Sequence, residues 1–92
     1  MATIPPIHVR IISPREVILD TDAESVSSSN IQGKFDILSL HVNFITLIEN
    51  KPIVIRRKSQ KPLVYTFPIA IVVALENKVD IYTYALTPAK SD

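Results

Sequence analysis

Apolar residues recur at every second position along much of this chain. In the first such run, Ile7, Val9 and Ile11 alternate with His8 and Arg10. A period of two places apolar side chains on one face of a β-strand, and the β-branched Ile and Val that dominate these runs favour a pleated surface. The runs fall at roughly 8–12-residue spacing, without a capped helical stripe. The sequence therefore predicts an all-β sandwich.

Turn-forming clusters separate the predicted strands. Residues 13–16 contain a proline that ends the first strand, and residues 28–30 are expected to form a loop because Ser and Asn side chains compete for local backbone groups. Residues 57–61 are expected to form the tip of a long hairpin. The only glycine, Gly33, is expected to mark either a positive φ or a close approach of the backbone. We predict strands over residues 7–12, 16–21, 23–27, 34–38, 43–48, 53–55, 63–67, 69–75 and 79–84, the last of these being the final strand.

Length and composition limit the chain to one domain. It has 92 residues and no cysteine, so neither a second core nor a disulfide framework is expected. We expect one sandwich domain over residues 7–86, with flexible ends at 1–6 and 87–92. No apolar run approaches the roughly 20 residues that cross a bilayer, and the N-terminus lacks the basic start and long apolar core of a secretory signal. An intracellular protein is predicted.

Residues 69–75, Ile-Ala-Ile-Val-Val-Ala-Leu, form the longest apolar run. A strand in an antiparallel sandwich usually has one polar face, and here that face is absent. One interpretation is a central strand whose outer side is covered by a loop or by the chain ends. The other is a face that docks on another protein, because contiguous exposed apolar surface marks interfaces. The sequence leaves both open.

No cluster of residues indicates catalysis, a cofactor or a metal. A single glycine excludes phosphate loops and dinucleotide motifs, and there is no G-x-S-x-G sequence. Asp20, Asp22 and Glu24 share one strand face, but they do not supply the six to eight oxygens that calcium prefers, so a solvated face is expected. His41, among apolar neighbours, is expected to be a hydrogen-bonded structural residue. We predict a non-catalytic domain without a cofactor.

Four cations cluster around the predicted hairpin tip: Arg56, Arg57, Lys58 and Lys61. Such a patch can contact nucleic-acid phosphates, but no aromatic residue lies among the cations to stack bases, and the net charge is only +1. A solvated turn is the simpler interpretation. Nucleic acid is not an expected partner, and binding through the tip stays an alternative hypothesis.

The segment Q-G-K-F-D-I-L-S-L-H at residues 32–41 resembles the E-G-E-F-G-I-L-P-G-H signature of the epsilon subunit of rotary ATP synthases, called delta in mitochondria. Residues 12–14 followed by 18–19 are similar to the family's opening V-S-P-x-x-x-L-F. Residues 24–26 match its E-S-V, and residues 77–79 match the N-K-V of its last hairpin. The register from about residue 7 to 85 needs little or no gapping.

This resemblance implies a flattened sandwich of about ten mostly antiparallel strands in two sheets. It implies a match to the family's N-terminal domain, divergent in sequence and without the C-terminal helical hairpin. In the family this domain lies at the foot of the central rotor stalk, where it couples proton translocation to ATP synthesis without chemistry of its own. Its implied partners are the gamma subunit and the c-subunit ring, peripheral to the membrane on the face that carries the catalytic head.

The resemblance also assigns two sets of candidate site residues. The loop candidates that face the c ring are Gln32, Lys34 and His41. The gamma-interface candidates are Ile69, Ile71, Val73 and Leu75. Acidic residues usual in the family are replaced by Gln32 and Lys34, and an upstream Pro-Gly is replaced by Ser29-Asn30. The alternative function is a stand-alone interaction module of the same fold, or a homodimer through the same strand.

Overall fold

Two five-stranded sheets pack face to face in the computed structural model of the protein. The structure describes residues 5–38, 43–84 and the backbone of 89–91. The ten strands are β1 Ile7–Ile12, β2 Val17–Ala23, β3 Ser25–Asn30, β4 Gly33–Leu38, β5 Phe44–Ile48, β6 Pro52–Arg56, β7 Leu63–Thr66, β8 Ala70–Leu75, β9 Lys78–Thr83 and β10 Ala89–Ser91. The predicted all-β, two-sheet sandwich is confirmed.

Sheet A has the strand order β2-β1-β9-β8-β5, and sheet B has the order β10-β7-β6-β3-β4. Every ladder is antiparallel except that between β1 and β9. Phe35 of β4 and Phe44 of β5 lie with ring centroids 5.1 Å apart. This pair joins the β4 edge of sheet B to the β5 edge of sheet A.

The inner faces of both sheets form one apolar core. Alternate side chains of β1, β6, β8 and β9 enter it, as the period-two pattern predicts. Its largest fully buried members, under 2% exposed, are Ile7, Val9, Ile11, Val26, Ile48, Ile53, Ile55, Phe67, Val72, Val79 and Ile81. Burying each of these side chains contributes about 1.5–3 kcal/mol relative to exposure, so the inner faces account for most of the apolar stabilisation.

Left-handed residues close several turns. Gly33 has φ 123° and no atom within 4 Å of an added Cβ, so of its two predicted roles it has the positive φ. The β8–β9 hairpin closes through Glu76 and Asn77 with φ of 48° and 64°. Two positive φ values in a two-residue loop match the right-handed twist of the flanking strands. In the first hairpin, the backbone N–H of Ser13 donates to the carbonyl of Glu16 at 2.9 Å, which confirms the turn predicted at residues 13–16.

Three predictions about strand limits are wrong. Ala23, predicted to begin the third strand, ends β2 because it pairs with Ile7 of β1. Residues 28–30 belong to β3, because β4 pairs with β3 along its whole length and satisfies the backbone there. The hydroxyl of Ser28 meanwhile donates to the carbonyl of Pro52 at 2.9 Å. Residues 79–84 do not hold the final strand, since β10 follows and pairs with the open edge of β7. The predicted domain limits of 7–86 stay a prediction.

Candidate protein-interaction face

Strand β8 separates its apolar side chains onto two opposite faces. Ala70, Val72 and Ala74 point into the core and are at most 3% exposed, whereas Ile71 and Leu75 on the other face are 42% and 53% exposed. The outer face of this central strand is therefore accessible. Of the two interpretations of the apolar run, this exposure favours a docking face.

The registers extend this apolar surface across sheet A. Outer residues of β5, β8, β9, β1 and β2 are paired in one continuous row, namely Leu47, Ile71, Tyr82, Ile12 and Val17. A second row begins with Ile45 paired to Val73. With strands about 4.8 Å apart, the first row spans about 19 Å. We call the outer-face residues Ile45, Leu47, Ile71, Val73, Leu75 and Tyr82 the apolar stripe.

The second row is charged beyond Val73. Val73 is followed across the sheet by Asp80, Arg10 and Asp20. The Arg10 guanidinium donates from Nε and Nη2 to the two carboxylate oxygens of Asp80, at 3.0 and 3.2 Å. This bidentate pair holds both charges beside the apolar stripe and leaves neither unpaired. The second row therefore changes from apolar side chains on β5 and β8 to charged side chains on β9, β1 and β2.

His8 links two carboxylates of β2 at the margin of this face. Its Nδ1 lies 2.9 Å from an oxygen of Asp22, and its Nε2 contacts Asp20. The hydrogen bond to Asp22 raises the pKa of His8 against the opposing effect of partial burial, and Asp20 raises it further. The shallow depression beside it is lined by His8, Arg10, Asp20, Lys78 and Asp80, which supply no hydroxyl or thiol nucleophile.

The β3–β4 hairpin carries two of the predicted ring-facing residues, Gln32 in its turn and Lys34 at the start of β4. Asn30 accepts a hydrogen bond from the backbone N–H of Gln32 at 2.8 Å and donates through Nδ2 to Thr46 at 2.8 Å. An asparagine side chain that bonds two residues ahead makes the turn without a Pro-Gly sequence. Gln32 and Lys34 are both exposed.

Ile31, at the apex of the same turn, is 96% exposed. It was not among the predicted site residues, although an isoleucine flanked by turn-forming residues is a readable signal of an exposed apolar tip. β4 then runs away from this turn to Leu38, which pairs with Ser25 at the other end of the ladder. The third ring-facing candidate, His41, lies outside the described residues.

The basic tip joins β6 to β7, as predicted. Arg56 donates to the hydroxyl of Ser27 at 2.9 Å, and that hydroxyl in turn donates to Asp36. Arg57 donates to the carbonyl of Lys61 at 3.4 Å, while its Nε is buried without a partner. The tip lies on sheet B and is separate from the apolar stripe on sheet A.

A family model for the ATP synthase delta/epsilon chain β-sandwich domain matches residues 6–89. The chain belongs to this family. Sequence comparison with curated proteins found no significant match. The family match confirms the resemblance inferred from the signature at residues 32–41, and it agrees with the sandwich architecture described above.

Two solved structures share the delta/epsilon sandwich fold at low sequence identity. A chain of the Euglena gracilis mitochondrial ATP synthase, from a structure of its OSCP, F1 and c ring, has a TM-score of 0.81 and 16% identity. A chain of the Tetrahymena thermophila mitochondrial ATP synthase, from a structure of its central stalk and c ring, has a TM-score of 0.68 and 15% identity. The matches cover 97% and 85% of this chain but only 56% and 63% of those chains.

The delta/epsilon sandwich of this chain places the gamma-interface candidates together. Ile69, Ile71 and Leu75 are exposed and Val73 is half-buried, all on or beside the outer side of β8. The outer residues of β5 that complete the stripe were not predicted, because strand adjacency between β5 and β8 is not readable from their separation in sequence. No helix in the described part of the chain is long and apolar enough to span a membrane.

Proposed function

We propose that this domain is a non-catalytic rotor-stalk element of a rotary ATP synthase, located through the complex at the membrane face that carries the catalytic head. In this proposal it binds the gamma subunit and the c-subunit ring and so couples proton translocation to ATP synthesis. The observation that carries the proposal is the exposed apolar stripe on a domain of the delta/epsilon family. The two structures of similar fold support it, since one contains F1 and the c ring of the Euglena enzyme and the other contains the central stalk and c ring of the Tetrahymena enzyme.

The stripe is the proposed gamma-binding surface. Ile45 is 73% exposed and Leu47 is 44% exposed, beside Ile71 and Leu75 at 42% and 53%. Removing apolar surface from water contributes roughly 25 cal/mol per Å², so covering four such neighbouring side chains favours association. The paired charges of Arg10 and Asp80 border the stripe and fit the polar rim of an interface.

The β3–β4 turn is the proposed contact with the c ring. Ile31 supplies an apolar apex, and Gln32 and Lys34 supply an amide and a cation beside it. Because acidic residues usual in the family are absent at these two positions, the complementary ring loop is expected to offer carboxylate or carbonyl oxygens. Like charge at this contact would oppose association.

Affinity purification from the source cells tests the proposal. The chain, tagged at its N-terminus and expressed at its native level, is expected to recover the gamma subunit and the c ring together in mild detergent. Recovery as a free monomer would contradict the proposal. Recovery as a homodimer without gamma, detected by light scattering, would instead support the stand-alone module that uses the same stripe.

A further inference from the structure

The hairpin tip between β6 and β7 carries groups that the proposed stalk contacts do not use. The last ladder pair joins Ile55 to Leu63, so residues 56–62 lie beyond the β6–β7 pairing. Ser59 occupies the apex of this tip. It is exposed, and its φ of 60° lies in the left-handed region. Its hydroxyl is therefore presented on a surface turn rather than within the sandwich.

Ser59 follows three consecutive cations, Arg56, Arg57 and Lys58. Ser59 lies three residues after Arg56 and two residues after Arg57. Protein kinases that select basic residues before their target serine recognise arginines at these two positions. The selection arises because carboxylates in the kinase cleft pair with each guanidinium in a planar, bidentate geometry. The spacing and order of these residues match that pattern.

Both guanidinium groups have donors available for a new partner. Arg56 makes one side-chain hydrogen bond within the described part of the chain, to the exposed hydroxyl of Ser27. Among the described residues, Arg57 makes only the long bond from Nη2 to the carbonyl of Lys61, and its buried Nε has no partner. Neither arginine forms an ion pair with a described carboxylate. A kinase therefore does not need to break an existing salt bridge to bind them.

The tip can open without disturbing the sheet. The backbone bond that closes the turn, from the N–H of Gln60 to the carbonyl of Arg57, is 3.5 Å long and hence weak. Residues 57–61 take no part in the β6–β7 strand pairing. The segment around Ser59 can therefore extend into a kinase cleft while β6 and β7 stay paired.

We propose that Ser59 is a phosphorylation site for a kinase that selects arginines on the N-terminal side of its target. The Ser59 oxygen bonds to the γ-phosphorus of ATP, the bond to the β-phosphate oxygen breaks, ADP leaves, and the hydroxyl proton passes to the kinase base. Phosphoserine adds a charge of about −1.5 to −2 at a tip that holds four cations. This charge roughly halves the positive charge of the tip and offers Arg57 and Lys61 an anionic partner.

The folded chain is incubated with ATP, magnesium and the catalytic subunit of cyclic-AMP-dependent protein kinase, and the product is mapped by mass spectrometry. We expect about one phosphate per chain on Ser59 and none at this position in the Ser59→Ala variant. Arg56→Gln is expected to lower kcat/KM by more than about tenfold. Lys58→Gln is the matched control, because it removes one positive charge from the same turn. It is expected to lower kcat/KM by less than about threefold.

Thermal unfolding of each variant confirms that it is folded before its rate is compared. Mapping on the unaltered chain needs no variant, so a folding defect cannot decide the result. Absence of phosphate on the folded chain would overturn the proposal. So would phosphate on another serine in place of Ser59, or equal losses for Arg56→Gln and Lys58→Gln.

Discussion

Two neighbouring valines of β8 test directly whether the strand has one buried and one solvent-facing side. Val72 is 0% exposed and points into the core, whereas Val73 is half-buried on the outer face. Substituting each in turn by alanine makes the same chemical change at adjacent positions of one strand. The loss of intrinsic strand preference is then the same for both, so the difference between them reports burial.

The expected difference follows from the two environments. At Val72 the substitution removes two buried carbon groups, about 1.6 kcal/mol of transfer free energy, and leaves a cavity that adds about 1 kcal/mol. At Val73, which is half-buried, the substitution loses about half of this transfer free energy, about 0.8 kcal/mol. Solvent fills the space that the removed methyl groups leave. We expect Val72→Ala to lower the free energy of unfolding by about 2 kcal/mol more than Val73→Ala.

Urea unfolding followed by far-ultraviolet circular dichroism measures both free energies. For a domain of this size, about 2 kcal/mol corresponds to a difference in Tm of roughly 8–16 °C. A difference below about 0.5 kcal/mol, or a larger loss for Val73→Ala, would refute the assignment of the outer face. It would mean that this face is packed as tightly as the core.

Three further predictions concern single positions. Because His8 has a raised pKa in the folded state, its contribution to stability is complete below the unfolded pKa and is lost as the pH rises through the folded pKa. The free energy of unfolding is expected to fall by at most about 1 kcal/mol over this pH range, because the His8–Asp22 pair is exposed. NMR titration should therefore show a midpoint that falls in Asp22→Asn, and an unchanged midpoint would contradict this. Gly33→Ala should cost about 1–3 kcal/mol in urea unfolding, since φ 123° strains any L-residue even though no atom lies within 4 Å of the added carbon, and a neutral effect would contradict this. Ile31→Ser should leave the unfolding free energy within about 0.5 kcal/mol, because the side chain is 96% exposed, while reducing recovery of the c ring, and full recovery would count against the ring contact.

Local patterns predicted most of the strands and the two faces of β8. Alternation identified β1, and Pro14 and Gly33 marked turns because their backbone restrictions act locally. Ser28 was assigned to a loop by its composition, yet it lies in β3. Pairing with β4 outweighs the preference of a serine for turns, and that pairing depends on residues distant in sequence.

The candidate site was only partly predictable for the same reason. The two-sided apolar run identified Ile71 and Leu75, since an apolar residue at every position of one strand is visible locally. Ile45 and Leu47 joined them only through the β5–β8 pairing. The bidentate contact of Arg10 with Asp80 required the parallel β1–β9 ladder, which brings together residues at opposite ends of the domain.

Binding to the gamma subunit tests the central claim most directly. Two leucines of nearly equal exposure allow a matched comparison, Leu75 on the stripe at 53% and Leu38 on the other sheet at 56%. Isothermal titration calorimetry with purified gamma subunit is expected to show binding by the unaltered chain. Leu75→Asp is expected to raise the Kd at least about tenfold, because its carboxylate would be desolvated at the interface. Leu38→Asp is expected to change the Kd little. Equal affinities for the two variants, or no binding by the unaltered chain, would contradict a gamma-docking stripe.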